Sequence, residues 1–117
     1  MKLNEIAEKL ALKNITPEIK PAAYPDVTRG YASDMLSDVL ANAPTGGALV
    51  TIQLHMNVIA VSVHAGVVAV IFAGGRTPEE TVRQKAIEEK IFLYVSPQSA
   101  FDIVGRLYSL GLRGRGG

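Results

Sequence analysis

The sequence predicts an α/β domain with a mostly parallel central sheet of about four to five strands, covered by helices on both faces. Short apolar runs rich in β-branched residues recur along the chain, as is typical of buried parallel strands. Segments whose apolar residues follow helical spacing alternate with these runs, and this alternation favours a parallel sheet. The chain has 117 residues, of which 48% are hydrophobic, so it suits one globular domain.

The first part of the chain predicts two helices separated by a connection. Residues 3–10 carry apolar side chains at helical spacing. Residues 14–25 contain three prolines and predict a connection with one short strand, and residues 28–33 predict another strand. Ser33 or Asp34 is expected to cap the next helix. The residues expected to face inward from that helix are Met35, Leu36, Val39 and Leu40.

The rest of the chain predicts three strand-and-helix units. Residues 56–65 are rich in Val and Ile, which favours a strand, but a helix is predicted because parallel strands need a crossover. Gly66 is its expected end. The predicted strands are 48–53, 67–72 and 91–95, and the predicted helices are 56–65, 78–90 and 97–110. The last helix is expected to bury Phe101, Val104, Leu107 and Tyr108.

Composition restricts the possible functions. The chain has no cysteine and two histidines, so no metal site and no cofactor are predicted. Its net charge is +1 with acids and bases interspersed, which does not favour nucleic-acid binding. Residues 58–73 are too short and too interrupted to span a membrane, and no signal peptide is recognised, so a cytoplasmic location is expected. Residues 1–112 are predicted to form the domain, and residues 113–117 are predicted to form a flexible Gly/Arg tail.

The turn Gly74–Gly75–Arg76–Thr77 has two possible roles. As a structural element, Thr77 would cap the helix, Pro78 would take its first position and Glu80 would complete a capping box. As a binding element, the turn would present backbone N–H groups and Arg76 to an anion at the carboxyl edge of the sheet. The pattern is not a P-loop, so it gives no support for ATP hydrolysis.

Two other strand ends carry polar side chains. Gln53, His55 and Asn57 follow one predicted strand, and Ser33 and Asp34 follow another. Because parallel strands end at a common edge, these residues are expected near Gly74, in a site for a small ligand or in a subunit interface. Each also has a simpler structural role as a helix cap or surface residue. No nucleophile or metal cluster accompanies His55, so no enzyme is predicted.

Four segments in order resemble the DRTGG domain family. They are GYASDMLSDVLANAP (30–44), LVTIQLHMNVIAVSV (49–63), VIFAGGRTPEETVRQKA (70–86) and SPQSAFDIVGRLYSLGL (96–112). The pattern is also similar to the N-terminal, non-catalytic domain of HPr kinase/phosphorylase, to the central domain of some phosphotransacetylases and to the insert of some CBS-domain pyrophosphatases. The resemblance implies a regulatory α/β domain that dimerises and has no kinase activity.

The chain departs from the motif that names this family. Gln53–Leu54–His55 stands where the family has an Asp-Arg pair, and Ala73–Gly74–Gly75 stands in place of Thr-Gly-Gly. From the three polar or glycine-rich strand ends and from the resemblance, we nevertheless expect a homodimeric regulatory module that binds a small anionic or nucleotide-like ligand, such as a nucleotide or phosphorylated metabolite. The alternative is an interaction module that docks on a partner enzyme without a small ligand.

Overall fold

A computed structural model describes residues 1–116 of the chain. The strands are β1 (Lys13–Asn14), β2 (Gly30–Ala32), β3 (Ala48–Thr51), β4 (Ala69–Phe72) and β5 (Phe92–Val95), and the helices are α1 (Leu3–Lys9), α2 (Leu36–Asn42), α3 (Asn57–Ala65), α4 (Glu80–Glu89) and α5 (Ala100–Ser109). The five strands form one sheet with the order β1-β5-β4-β3-β2, in which β1 is antiparallel to β5 and all other neighbours are parallel. The predicted fold class is confirmed.

The sheet separates two apolar cores. Side chains alternate along each strand, so Val50 and Ile71 face one core while Leu49 and Val70 face the other. All four residues of β3 and of β4 are buried, which explains why these strands are continuous apolar runs. The first core is completed by α1 and α5, and the second by α2, α3 and α4.

Residues 57–65 form a helix, as the need for a crossover between parallel strands predicted. The helix ends at Gly66, which has a left-handed backbone with φ +77°. A Cβ atom at this position would lie 2.9 Å from a side-chain carbon of Thr45. Gly66 therefore ends α3 and also allows close contact with the loop before β3.

No helix among residues 1–116 is both long and apolar enough to cross a membrane.

The sequence placed the wrong residues of two helices in the core. In α2, Val39 is buried, but Met35 is 66% exposed and Leu40 is also exposed. In α5, Leu107 is buried as expected, together with Ile103, whereas three predicted core residues are exposed. Those three are Phe101, Val104 and Tyr108. Large apolar side chains suggested an inward stripe, but the smaller set around Ile103 and Leu107 packs on the sheet.

The segment after α5 runs beside the outer edge of β2. Arg113 N–H donates to the Thr28 carbonyl at 3.0 Å, and Gly30 N–H donates to the Arg113 carbonyl at 2.9 Å. The Arg115 guanidinium then donates to Asn42 Oδ1 of α2 at 2.7 Å. Sheet-like pairing thus continues one residue past the predicted domain boundary at 112. Flexibility of the tail stays a prediction, and its final residue, Gly117, lies outside the described residues.

Candidate ligand site at the carboxyl edge of the sheet

The three groups of predicted site residues leave the sheet at one edge. Residues 33–34 follow β2, residues 53–57 follow β3 and residues 74–77 follow β4. Ala32 is paired with Val50, and Thr51 with Phe72, so the three strands end at neighbouring positions. This shared position was predicted from the sequence. The role of these residues in binding a ligand stays a prediction.

Asp34 joins the end of β2 to the end of β3. Its Oδ1 atom accepts hydrogen bonds from Thr51 Oγ1 and from Ile52 N–H, both at 2.8 Å. The Thr51 side chain is buried, and its hydroxyl also accepts a hydrogen bond from Gln53 N–H at 3.0 Å. Asp34 is therefore not a helix cap. It continues the β2–β3 pairing by a side-chain bond where the backbone ladder stops.

Gln53, His55 and Asn57 form a chain of short-range hydrogen bonds into α3. His55 N–H donates to Gln53 Oε1 at 3.1 Å, and Asn57 N–H donates to His55 Nδ1 at 3.0 Å. Because Nδ1 accepts this bond, the neutral imidazole carries its proton on Nε2. His55 and Asn57 are exposed. Among residues 1–116, neither His55 Nε2 nor the side-chain amide of Asn57 forms a hydrogen bond, so both groups can contact a ligand.

Neither Ser33 nor Asp34 caps α2. The residue before the helix is Met35, and no side chain caps it, although Ser33 Oγ accepts a hydrogen bond from Met35 N–H at 3.2 Å.

Asp38 accepts hydrogen bonds from Asn42 and Tyr31. Hydrogen bonds from Asn42, Ser33 and Tyr31 lower the pKa of Asp38, and the bond to Asp38 raises the pKa of Tyr31. Within the described chain, no group of three His, Asp or Glu side chains could hold a metal ion.

The Gly74–Gly75 turn does not offer its backbone to an anion. Gly74 N–H donates to the Gln98 carbonyl at 2.7 Å, and Gly75 N–H donates to the Ser96 carbonyl at 2.9 Å. Both glycines have a left-handed backbone, with φ of +73° and +74°. The turn therefore fastens the end of β4 to the loop after β5. Because the N–H groups of both glycines already donate to carbonyls, these two groups are not available to an anion, which was the second of the two roles considered for the turn.

The predicted capping box at Thr77 is also wrong. Helix α4 begins at Glu80, the preceding Glu79 makes no capping bond, and Thr77 lies outside the helix. The Glu80 carboxylate instead accepts bonds from Arg83 and from Gln84. These bonds lower the pKa of Glu80 to about 2. Arg76 remains exposed, and no hydrogen bond of its side chain is present within 1–116.

Three exposed apolar residues at this edge were not predicted as site residues. Met35 precedes α2, Ile52 follows β3 and Met56 precedes α3, and all three side chains are exposed. They alternate along the chain with the predicted polar residues. The edge therefore presents polar groups and flexible apolar groups together. Their position directly beside the strand ends was the available signal, but the helical spacing predicts that Met35 faces the core.

Comparison with known proteins gives a structural likeness and no sequence match. No protein-family model matches the chain, and no curated protein sequence matches it. The fold is similar to a crystal structure of the CBS and DRTGG domains from the regulatory region of Clostridium perfringens pyrophosphatase, in complex with its activator diadenosine tetraphosphate. The TM-score is 0.67 at 20% sequence identity. The match covers 95% of this chain and 47% of that one, so the chain spans about half of its length.

Proposed function

We propose that this chain is a DRTGG-type regulatory module that forms a homodimer and binds a small anionic, nucleotide-like ligand. The fold supports this proposal, because the structural neighbour belongs to a regulatory region and was crystallised with a nucleotide activator. The four sequence segments that resemble DRTGG domains support it independently. The further resemblance to the HPr kinase N-terminal domain rests on those segments alone. A regulatory neighbour also favours a non-catalytic role.

One observation at the carboxyl edge carries the ligand proposal. His55 Nε2 and the Asn57 amide are held in place by hydrogen bonds made through other atoms, yet they remain exposed. Met35 and Met56 lie exposed on neighbouring segments and can contact a flat ring. Arg76, in the loop after the adjacent strand, can pair with a phosphate. A nucleotide whose base contacts Met35 and Met56 and whose phosphate pairs with Arg76 would use both the apolar and the charged groups of this edge.

The other predicted residues have supporting parts in this site. Ser33 and Asp34 fix the loop before α2, and Gln53 fixes the backbone of His55. Gly74 and Gly75 hold the loop that carries Arg76 and Thr77 through their bonds to residues 96 and 98. These residues determine where the ligand-contacting groups stand. The glycine N–H groups are not assigned as ligand donors.

A thermal-shift screen with AMP, ADP, ATP and diadenosine tetraphosphate tests the proposal. A ligand at one hundred times its Kd stabilises the native state by about 2.7 kcal/mol. For a domain of this size, that corresponds to a rise in Tm of roughly 10 °C. His55→Ala and Arg76→Gln should reduce the rise, whereas Arg106→Gln, an exposed arginine on α5, should not. Absence of any rise with all four nucleotides at millimolar concentration would refute nucleotide binding.

Docking on a partner enzyme is a second candidate, favoured by the exposed methionines. Met35, Ile52 and Met56 together present unbranched and branched apolar groups that suit a protein surface. In this case the edge would be covered by a protein rather than by a small ligand. Met56→Asp should then abolish co-purification of one defined enzyme from the native host, while Leu40→Asp leaves it unchanged. Equal recovery with both variants would reject this surface.

A further inference from the structure

Helix α5 exposes an apolar stripe beside an open groove. Phe101 is 86% exposed, and Val104 and Tyr108 follow it on the same side of the helix. The groove has a volume of about 260 Å³ and lies between α5 and β2, with Val104, Tyr108 and Tyr31 among its walls. A largely exposed phenylalanine thus stands on the helix that also forms one wall of an apolar groove.

We propose that α5 is the contact surface of the homodimer, with Phe101 of each copy seated at the groove of the other. The existence of a dimer rests on the proposed function, and the new step is that α5 forms its contact surface. In an antiparallel pair of α5 helices with the two-fold axis beside Val104 and Gly105, Phe101 of one copy meets Tyr108 of the second. The same contact then forms twice, as a closed two-fold interface requires.

Gly105 makes a close approach possible at the centre of this pair. Apart from its chain neighbours and the nearby backbone of its own helix, a Cβ atom built on Gly105 would have no atom of residues 1–116 within 4 Å. The glycine therefore leaves open space directly on the exposed side of the helix, where Val104 of the second copy can pack. Small residues at a helix crossing let the two axes approach closely, because interaxial distance depends on the side chains at the contact.

Charges at the two ends of α5 also suit antiparallel pairing. Asp102 lies in the first turn, and Arg113 and Arg115 follow the last turn. The Arg113 guanidinium lies 3.8 Å above the Tyr108 ring and donates to the carbonyls of Tyr108 and Leu112. Among residues 1–116, neither arginine forms an ion pair. Antiparallel pairing brings the acidic end of one helix beside the basic end of the other, with opposed helix dipoles.

The absence of cysteine from this chain provides a direct test. In Val104→Cys, the introduced thiol lies near the two-fold axis, so mild oxidation should convert most of the protein to a covalent dimer. Leu40→Cys, which replaces an equally apolar exposed residue on α2, should stay uncrosslinked. By light scattering, Phe101→Asp should raise the dimer dissociation constant by about thirtyfold or more, as expected for an aromatic anchor. Leu40→Asp should leave the constant unchanged.

The possible outcomes separate the dimer from its surface. A wild-type chain that is monomeric at a concentration of 100 μM would overturn both the dimer and this interface. If Phe101→Asp stays as dimeric as the wild type and Val104→Cys does not crosslink, the α5 surface is overturned and the dimer is left. If the chain is monomeric and a nucleotide slows hydrogen exchange of the residues that line the groove, the groove binds the nucleotide and not a second copy, and the proposal is overturned. Because Phe101 is exposed in the single chain, a far-UV circular dichroism spectrum of Phe101→Asp equal to that of the wild type will show that the variant is folded, whereas its Tm should fall with the loss of the dimer.

Discussion

The bond between Asp34 and Thr51 should couple the two strand ends of the candidate site. We predict that Asp34→Ala and Thr51→Val, combined in a double-mutant cycle, show a coupling free energy of about 1.5 kcal/mol. The Thr51 hydroxyl is buried and donates to a carboxylate at 2.8 Å. A hydrogen bond to a charged group contributes roughly 1.5–3 kcal/mol. We take the lower end, because the carboxylate itself is exposed to solvent.

The cycle can be measured by urea unfolding followed by circular dichroism. Each kcal/mol corresponds to roughly 4 °C in Tm for a domain of this size, so thermal melts provide a second estimate. Asp34→Asn is the matched control, because its side-chain oxygen can still accept from Thr51 and Ile52, and it should retain part of the coupling. If the two single substitutions are additive within about 0.5 kcal/mol, the bond does not join the strands energetically.

Three further outcomes are expected. Within residues 1–116 the buried Ser62 hydroxyl has no hydrogen-bond partner, so Ser62→Ala should raise the free energy of unfolding in urea by roughly 1 kcal/mol. Thr16 Oγ1 accepts from the buried Leu93 N–H at 3.1 Å, so Thr16→Val should lower Tm well below that of Thr16→Ser, and equal values would contradict this role. Hydrogen bonds from Arg83 and then from Gln84 lower the pKa of Glu80 from 4.5 to about 2, so their contribution to stability is present above pH 4.5 and lost toward pH 2. The stability difference between wild type and Arg83→Met should therefore shrink over that range, and a constant difference would contradict it.

The fold was predictable because its signals are local. The apolar runs that form β3, β4 and β5 are continuous in the sequence, and a parallel order requires helices between them. The shared edge of residues 33–34, 53–57 and 74–77 follows from that order alone. Secondary structure and the position of the site could thus be inferred without knowledge of any distant contact.

The details that failed depend on contacts distant in sequence. Gly74 and Gly75 donate to carbonyls more than twenty residues further on, and no local pattern reveals that their N–H groups are used. Asp34 resembles a helix cap, but its partner Thr51 belongs to the next strand. On α5, the stripe around Phe101 and the stripe around Ile103 have the same helical spacing, and the packing on the sheet decides which one is buried.

The unequal lengths of the strands have a consequence for dynamics. β3 and β4 are fully buried at the centre of the sheet, whereas β2 has three residues and lies at its edge. Of these three strands, β2 should therefore open first, and its amide protons should exchange with solvent earlier than those of β4. The hydrogen bond between Asp34 and Thr51 joins the end of the less stable β2 to the end of the more stable β3. A ligand that holds both strand ends would slow exchange at Ala32 to Asp34 while leaving β4 unchanged, so hydrogen exchange can locate an occupied site without identifying its ligand.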